Sequence, residues 1–386
     1  MRRLVVLTSL LVLVDTAFYA ALTPLLPRFA DDLGLSKALD GILVAAYPLG
    51  TLVGGLPGGV AAARFGPRRA VLGGLVLFAA SSVAFGFVQG FGLLVAARLL
   101  QGIGSALTWA GAFTWLIEAA PRGRRGEMIG TAMAAAVFGA LLGPAIGAAA
   151  AELGRGPVFV AVALLGAALA VAALTVPPTP GEDVTLRSVG AAFRNRRFAG
   201  GLAYMCMPAI LFGTLGVLAP LHLHDAGWSA AAIGAVWIVA AAAEAVQAPF
   251  VGRLSDRRGA LVPVQIALAA SAPLALGLAT GARPLFYVPL LVAAAMAFGV
   301  LFTPALALIA DGAEEAGLAL GLAFGLMNAA WAIGAVAGPA LAGAVAQATG
   351  DAIPFVAAAL LCLAALGATR SRAAAELRIP EAAASP

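Results

Sequence analysis

The chain has 386 residues, of which 62% are hydrophobic and 11% are charged. Because a soluble domain carries roughly 25% charged residues, most of this surface cannot face water. The net charge of +5 comes from basic residues in short clusters between apolar segments, which argues against nucleic-acid binding. The composition indicates a protein that crosses a lipid bilayer many times.

Cysteine and histidine are too scarce and too scattered for a metal site or a disulfide framework. Cys206 and Cys362 lie in apolar segments, too far along the chain to complete a zinc site with His222 and His224. The two histidines could bind a metal weakly at the surface, but a solvated loop is the favoured interpretation. The sequence also lacks a phosphate-binding loop and a convergent catalytic group. We therefore expect neither an enzyme nor a nucleotide-driven pump, and we expect no cofactor.

Twelve apolar segments are long enough to cross a bilayer, which needs about 20 residues per helix. These predicted spans lie near residues 4–26, 38–63, 70–88, 91–119, 128–151, 158–176, 199–221, 230–251, 261–280, 285–310, 318–347 and 352–369. The pattern predicts an all-α integral membrane fold with twelve transmembrane helices.

The distribution of lysine and arginine predicts the orientation. With the N-terminus in the cytoplasm, eighteen of the 23 basic residues fall in cytoplasmic segments. Only the acidic loop between Asp311 and Glu315 departs from this trend. We predict that both termini are cytoplasmic. The richness in alanine and arginine favours a bacterial cytoplasmic (inner) membrane.

The second half of the sequence repeats the first at a shift of half the chain length. The shift aligns Gly59 with Gly252, Arg64 with Arg257, Gly66 with Gly259, and Glu118 with Asp311. Because each half has an even number of spans, the repeat is parallel and predicts two pseudo-symmetric six-helix bundles with a substrate site between them. The predicted units are bundles at 1–176 and 199–369, a cytoplasmic linker at 177–198, and a cytoplasmic tail at 370–386.

Several segments resemble motifs of the major facilitator superfamily. The loop Gly252-Arg-Leu-Ser-Asp-Arg-Arg-Gly259 is similar to the loop motif that follows the second and eighth spans of that family. The first copy has Ala63 where the family has aspartate. The fourth span, around Arg98 and Gln101, resembles a second motif. The fifth span resembles the motif of proton-driven exporters, with Gly139, Gly143, Pro144 and Gly147.

The resemblance implies a transporter of the drug:proton antiporter group, with the proton gradient as its energy source. In this family the loop motif latches one conformation through an ion network. We expect Glu118 to pair with Arg64 and Asp311 with Arg257, or these arginines only to fix the topology. The predicted latch residues are Gly59, Arg64, Gly66, Glu118, Gly252, Asp256, Arg257, Gly259 and Asp311. The fifth-span glycines predict close helix packing.

Three charged residues lie within predicted spans, where each charge costs about 2.5–3.5 kcal/mol or more. We hypothesise that Asp15 takes up the coupling proton and that Arg98 tunes its proton affinity, because burial favours a neutral carboxyl and a nearby cation favours the ionised form. Alternatively, Asp15 is structural and bonds to helix backbone. Glu244 is a weaker candidate for proton coupling, since it could pair within its bundle or face the cavity mouth.

Aromatic and amide side chains could line the substrate site. The candidates are Phe18, Tyr19, Gln101, Trp109, Trp237, Phe324, Asn328 and Trp331. An aromatic wall with one acid suits an apolar or cationic organic solute, although each residue could serve helix packing alone.

The leading interpretation is a secondary transporter that exports a small organic molecule, such as a drug or metabolite, against protons. The alternatives are a sugar or metabolite symporter or facilitator, and a non-transporting membrane sensor or scaffold. We expect a monomer, because the site lies within one chain.

Overall fold

The structure is a computed structural model that describes residues 2–22, Leu25, Phe29, 37–181 and 187–382. In this part of the chain, twelve helical segments are long and apolar enough to cross a membrane, and no strand occurs. Numbered as spans 1 to 12, their helices are Arg2–Ala20, Lys37–Phe65, Pro67–Phe87, Phe91–Ala119, Arg125–Leu153, Arg155–Leu174, Arg196–Asp225, Ala230–Arg258, Leu261–Ala279, Pro284–Gly299 with Phe302–Glu315, Leu320–Thr349 and Ala352–Ala382. The predicted all-α membrane fold is confirmed.

The helices of spans 1 and 12 end at residues other than the predicted ones. The helix of span 1 ends at Ala20 rather than near residue 26, and a turn at Ala21 and Leu22 follows it. The helix of span 12 continues to Ala382, into the segment predicted as a tail. Hydropathy marks the apolar part of a segment, not the end of its hydrogen-bonded helix. Residues 182–186 of the predicted linker and 383–386 of the tail lie outside the described residues.

Span 10 is broken where the hydropathy pattern is continuous. Its first helix ends at Gly299, Val300 and Leu301 form a turn, and the second helix starts at Phe302. Pro304 has no N–H to donate to the carbonyl of Val300, and its ring crowds that carbonyl. The break follows from this proline, which lies inside an otherwise apolar segment.

The spans form two bundles that meet at two equivalent places. In the first bundle, span 4 packs on spans 2 and 3, and span 1 packs on span 5. In the second, span 7 packs on spans 10 and 11, and span 9 packs on span 12. Span 5 contacts span 8, and span 2 contacts span 11. The repeat relates these two contacts, so the pseudo-symmetric bundles are confirmed, while their exact residue boundaries stay a prediction.

Both copies of the loop motif end a helix with a left-handed glycine. Gly66 has φ of 85° and Gly259 has φ of 84°, a conformation that side chains with a Cβ rarely adopt. These glycines lie at the end of the molecule where spans 2, 4, 8 and 10 end, which we call the loop-motif end. The equivalence of the two turns supports the repeat.

Glycines of span 5 allow span 1 to pack against it in backbone contact. A Cβ on Gly139 would overlap the carbonyl oxygen of Leu13, and one on Gly143 would overlap the side chain of Ala20. The Thr16 hydroxyl donates to the carbonyl of Ala136 at 2.6 Å across the same contact. The fifth-span motif thus fixes span 1, and Pro144 is accommodated without ending the helix.

We predict that Gly139→Ala lowers the thermal stability of the purified protein. In a helix, alanine is normally better than glycine by about 1 kcal/mol, but here the added methyl would displace the backbone of span 1, and overpacking costs typically 1–3 kcal/mol. The control is Gly166→Ala in span 6, where a Cβ meets nothing within 4 Å. Thermal unfolding in detergent should show a lower midpoint for Gly139→Ala alone; equal midpoints would contradict the packing argument.

Candidate functional site

Asp15 lies in the interior of the first bundle and is held by span 4. Its side chain is 6% exposed. Its Oδ2 accepts a hydrogen bond from the Ser105 hydroxyl at 2.8 Å and one from the Trp109 indole N–H at 2.7 Å. Because positions 105 and 109 are one helical turn apart, both donors project from the same face of span 4. Both of these partners are side chains of span 4, not the helix backbone that the structural alternative expected.

Arg98 lies on the same face of span 4 but does not form an ion pair with Asp15. It is 2% exposed and donates to Oε1 of Gln101 at 3.1 Å and to the carbonyl of Tyr19 at 3.2 Å. Its guanidinium carbon lies 4.8 Å from the ring centroid of Tyr47, a cation–π geometry. The Nε of Arg98 has no hydrogen-bond partner among the described residues.

Tyr47 of span 2 completes this polar centre, and sequence reasoning missed it. Its side chain is 1% exposed, and its ring packs against Tyr19 at a centroid distance of 5.0 Å as well as against Arg98. The available signal was a single tyrosine in an apolar span, next to Pro48. We define the polar centre as Asp15, Tyr19, Tyr47, Arg98, Gln101, Ser105 and Trp109.

Span 11 of the second bundle faces the polar centre through three side chains predicted to line the site. The ring of Trp331 lies 5.9 Å from that of Tyr19, and Asn328 donates to the carbonyl of Ala106 in span 4 at 3.0 Å. Phe324 reaches the centre through an intermediate ring. Trp109 stacks on Phe113 at 5.4 Å, and Phe113 lies 5.8 Å from Phe324. The interface between the bundles therefore runs beside the polar centre.

Two predicted lining residues and Glu244 lie outside this group. Phe18 packs among aromatic rings of the first bundle, with centroids 4.9 Å from Phe78 and 5.0 Å from Phe159. Adjacent residues on a helix point about 100° apart, so Phe18 and Tyr19 cannot both face the centre. Trp237 is half-buried against the core of the second bundle. Glu244, 8% exposed, faces span 10.

Asp256 of the loop motif binds the start of span 5. Its two carboxylate oxygens accept hydrogen bonds from the backbone N–H groups of Gly126 and Glu127, at 2.8 and 2.9 Å. These N–H groups belong to the first turn of a helix, where they have no internal partner and where the dipole favours an anion. Gly252 lets the two helices touch, because a Cβ there would overlap the backbone of Gly126.

The ion pairs between described residues include neither Glu118 with Arg64 nor Asp311 with Arg257. Among the described residues, neither Arg64 nor Arg257 contacts a carboxylate. Instead Arg125, at the start of span 5, lies 2.8 Å from Glu314 and 3.9 Å from Asp311. Arg257 is one position beyond Asp256, and the helix turns its side chain away from span 5 into an exposed position.

Further ion pairs surround this contact at the loop-motif end. Arg253 lies 3.1 Å from Glu127 across the bundle boundary, and Arg197 pairs with Glu315 beside the linker. The equivalent contact of spans 2 and 11 is made by glycine backbones: a Cβ on Gly59 would lie 2.7 Å from the carbonyl oxygen of Gly321. Ala63, which replaces the family aspartate, is buried there.

Two related six-helix bundles with a buried acid and a buried arginine beside their boundary define a membrane transporter. The chain matches the Major Facilitator Superfamily model over residues 8–324. It belongs to that superfamily, which confirms the family expected from the motifs.

Curated relatives of known name share sequence similarity with only part of the chain. The quinolone resistance protein NorA of Staphylococcus aureus is 31% identical over 142 residues, covering 36% of this chain and 37% of NorA. The MFS-type transporter ppzB of Metarhizium rileyi is 31% identical over 169 residues, covering 42% of this chain and 35% of the relative. The matched segment thus spans little more than a third of each curated relative.

Solved structures share the fold over nearly the whole chain. The human organic anion transporter MFSD10 superposes with a TM-score of 0.77 at 19% identity, covering 95% of this chain and 99% of that one. The proton:xylose symporter XylE gives a TM-score of 0.75 at 17% identity, with 94% of each chain covered. At these identities the similarity establishes the architecture.

We predict that Asp256→Ala weakens closure at the loop-motif end. The substitution leaves the backbone N–H groups of Gly126 and Glu127 without their acceptor, at a cost of about 1–3 kcal/mol. A loss of about 1–2 kcal/mol shifts a two-state equilibrium roughly 5- to 30-fold. With Cys206 and Cys362 replaced by alanine, a cysteine at Ala248, buried at this contact, should react faster with a membrane-impermeant thiol reagent. Arg257→Ala is the matched control and should leave the rate unchanged. Equal rates in both variants would show that Asp256 does not hold the contact.

Proposed function

We propose that this protein is a proton-coupled exporter of small organic solutes and that Asp15 carries the coupling proton. The observation that supports the proposal is the placement of Asp15, a buried acid of the polar centre that accepts two side-chain hydrogen bonds and has no ion-pair partner among the described residues. A carboxyl in such a place can exist in either form, because burial favours the neutral form while the two hydrogen bonds and the nearby Arg98 favour the charged form. Intramembrane acids of this kind mark proton relays by default.

The hydrogen bonds of Asp15 suggest how a proton could alter the site. Both donors bind Oδ2, which leaves Oδ1 as the oxygen available to a proton. Protonation removes the charge that strengthens both bonds and so weakens the hydrogen bonds that the Trp109 indole and the Ser105 hydroxyl donate to Oδ2. Arg98 then becomes the only charge of the polar centre. Each protonation step therefore changes both the net charge and the shape of the wall that Trp109 forms.

The same residues favour a flat, apolar or cationic solute. Tyr19, Tyr47, Trp109 and Trp331 present aromatic faces around Asp15, which suit stacking and cation–π contact. Asn328 adds an amide from the second bundle. A cation would compete with the proton for the ionised form of Asp15, and such competition is the simplest form of antiport.

Similarity to a quinolone resistance protein supports efflux as the direction and drugs or drug-like metabolites as the substrate class. We further propose that the protein acts as a monomer in a bacterial cytoplasmic membrane, with both termini in the cytoplasm and the proton gradient in place of any cofactor. The bundles are assigned to residues 1–176 and 199–369. Symport or facilitated diffusion of a sugar or metabolite are the alternatives that a transport assay separates from export.

We predict that Asp15→Asn abolishes transport driven by a pH gradient and retains exchange of substrate for substrate. Asparagine keeps the size and an acceptor for Trp109 but cannot take up a proton. The measurement is uptake into inside-out proteoliposomes of an uncharged aromatic fluorescent dye, which does not need the carboxylate for binding, with and without an imposed proton gradient, followed by counterflow without a gradient. Gradient-driven uptake at the wild-type rate in Asp15→Asn would falsify the role of Asp15. Counterflow is the control for correct folding.

We predict that Trp109→Phe moves the pH of half-maximal gradient-driven transport to a higher value. The variant keeps the aromatic ring and its stacking on Phe113 but removes one donor to the carboxylate, so the ionised form of Asp15 loses stabilisation. Phe113→Leu, which alters stacking and leaves both donors in place, is the matched control and should not move the pH profile. An unchanged profile in Trp109→Phe would mean that this hydrogen bond does not govern protonation.

A further inference from the structure

Glu244 lies directly against the backbone of span 10. It occupies the middle of span 8 and is 8% exposed. A Cβ on Gly299 would lie 2.6 Å from Cγ of Glu244 and would overlap its Oε1. Only glycine at position 299 lets the carboxyl come this close to the chain, so this contact is a specific feature of the two helices.

The contact lies where span 10 is broken. Gly299 ends the first helix of the span, and the carbonyl of Val300 has no N–H donor at Pro304. One turn further along span 8, the Gln247 amide donates to the carbonyl of Met296 at 2.7 Å. Two polar side chains of span 8 therefore face the backbone of the break, one as a hydrogen-bond donor and one as an acid.

The equivalent place in the first bundle has no such arrangement. The repeat puts Thr51 and Gly54 of span 2 opposite Glu244 and Gln247. There, spans 2 and 4 touch through their backbones, since a Cβ on Gly102 would overlap the carbonyl oxygen of Tyr47. Span 4 runs unbroken over Phe91–Ala119. The acid and the break occur together in one half and are both absent from the other.

Glu244 has neither an ion-pair partner nor a side-chain hydrogen bond within the described part of the chain. Neither span 9 nor the segment Pro284–Gly299 contains a charged residue. On span 8 the nearest charge along the helix is Arg253, nine residues away or about 14 Å. The other charged groups on helices packed against span 8 lie at helix ends: Arg125, Glu127 and Glu152 on span 5, Arg196, Arg197 and Asp225 on span 7, and Asp311, Glu314 and Glu315 on span 10.

We propose that Glu244 is a second proton-binding site and that its protonation sets the bend of span 10. A protonated carboxyl donates its O–H to a carbonyl oxygen freed at the break and draws span 10 towards span 8. An ionised carboxylate has no donor and is repelled by carbonyl oxygens, so span 10 relaxes away. The proposal rests on the proposed function only in that the proton on Glu244 would be used in transport.

The test follows the distance between spans 8 and 10 as pH changes. Spin labels are placed at Ile238 and Leu285, which are 57% and 77% exposed, after Cys206 and Cys362 are replaced by alanine. Double electron–electron resonance is recorded in lipid nanodiscs across a pH series without substrate. We expect the wild-type distance distribution to shift with pH, and Glu244→Gln to show the low-pH distribution at every pH, because its amide keeps a donor and cannot ionise.

Two further variants make the outcome decisive. Asp15→Asn should keep the pH-dependent shift, and Gly299→Ala should lose it, because the added methyl removes the space that the carboxyl needs. A single symmetric peak in size-exclusion chromatography and activity in substrate counterflow serve as the measures that each variant is correctly folded. A full shift in Glu244→Gln, its loss in Asp15→Asn, or a wild-type protein without a shift would each overturn the proposal. A wild-type protein that shows the shift but no gradient-driven transport would instead overturn the proposed function and leave this inference standing.

Discussion

The architecture of the centre depends on the hydrogen bonds that span 4 gives to Asp15. An ionised carboxyl away from water is tolerated only where other groups replace its hydration shell. Ser105 and Trp109 supply that replacement from one face of one helix, and both bind the same oxygen. Spans 1 and 4 are thereby held in register, while the glycines of span 5 hold the other side of span 1. Span 1 is consequently fixed on both sides, and the acid cannot escape to lipid or to water without moving a helix.

The two halves share a fold, but the buried charged and polar side chains are distributed unequally between them. Asp15 and Arg98 both belong to the first bundle, whereas the second contributes aromatic and amide groups from span 11 and the separate acid Glu244. At the loop-motif end, the two equivalent contacts between the bundles also differ from each other. The contact of spans 5 and 8 is made by charge, through Asp256 and the pairs around it, and the contact of spans 2 and 11 is made by close glycine packing. Opening that end therefore breaks hydrogen bonds on one side and only van der Waals contacts on the other.

The fold could be predicted well from the sequence because a small number of strong constraints governs membrane helices. Backbone groups must be hydrogen-bonded within each helix. Hydropathy and the polar residues between apolar segments therefore predicted all twelve spans, and the internal repeat predicted the two bundles. The members of the polar centre on spans 1 and 4 followed from charge and helical periodicity. Tyr47 was missed although Gly50, Gly54 and Gly58 mark the face of span 2 that meets span 4, and Tyr47 lies one turn before Gly50 on that face. The pairing of Arg125 with Asp311 was also missed, because it depends on how the helices of spans 5 and 10 meet across the bundle boundary. Pro304 was readable as a helix breaker, but continuous hydropathy concealed it.

The position of Trp109 links the protonation state of Asp15 to the second bundle. Its N–H binds the carboxylate, and its ring stacks on Phe113, which in turn contacts Phe324 of span 11. A proton on Asp15 directly weakens only its hydrogen bonds from Ser105 and Trp109, yet the Trp109 indole is already packed into the bundle boundary. Packed rings have discrete arrangements rather than a continuum. A change of one charge can therefore select between two packings of spans 4 and 11, which is the minimum that coupling between a proton site and a rocking bundle requires.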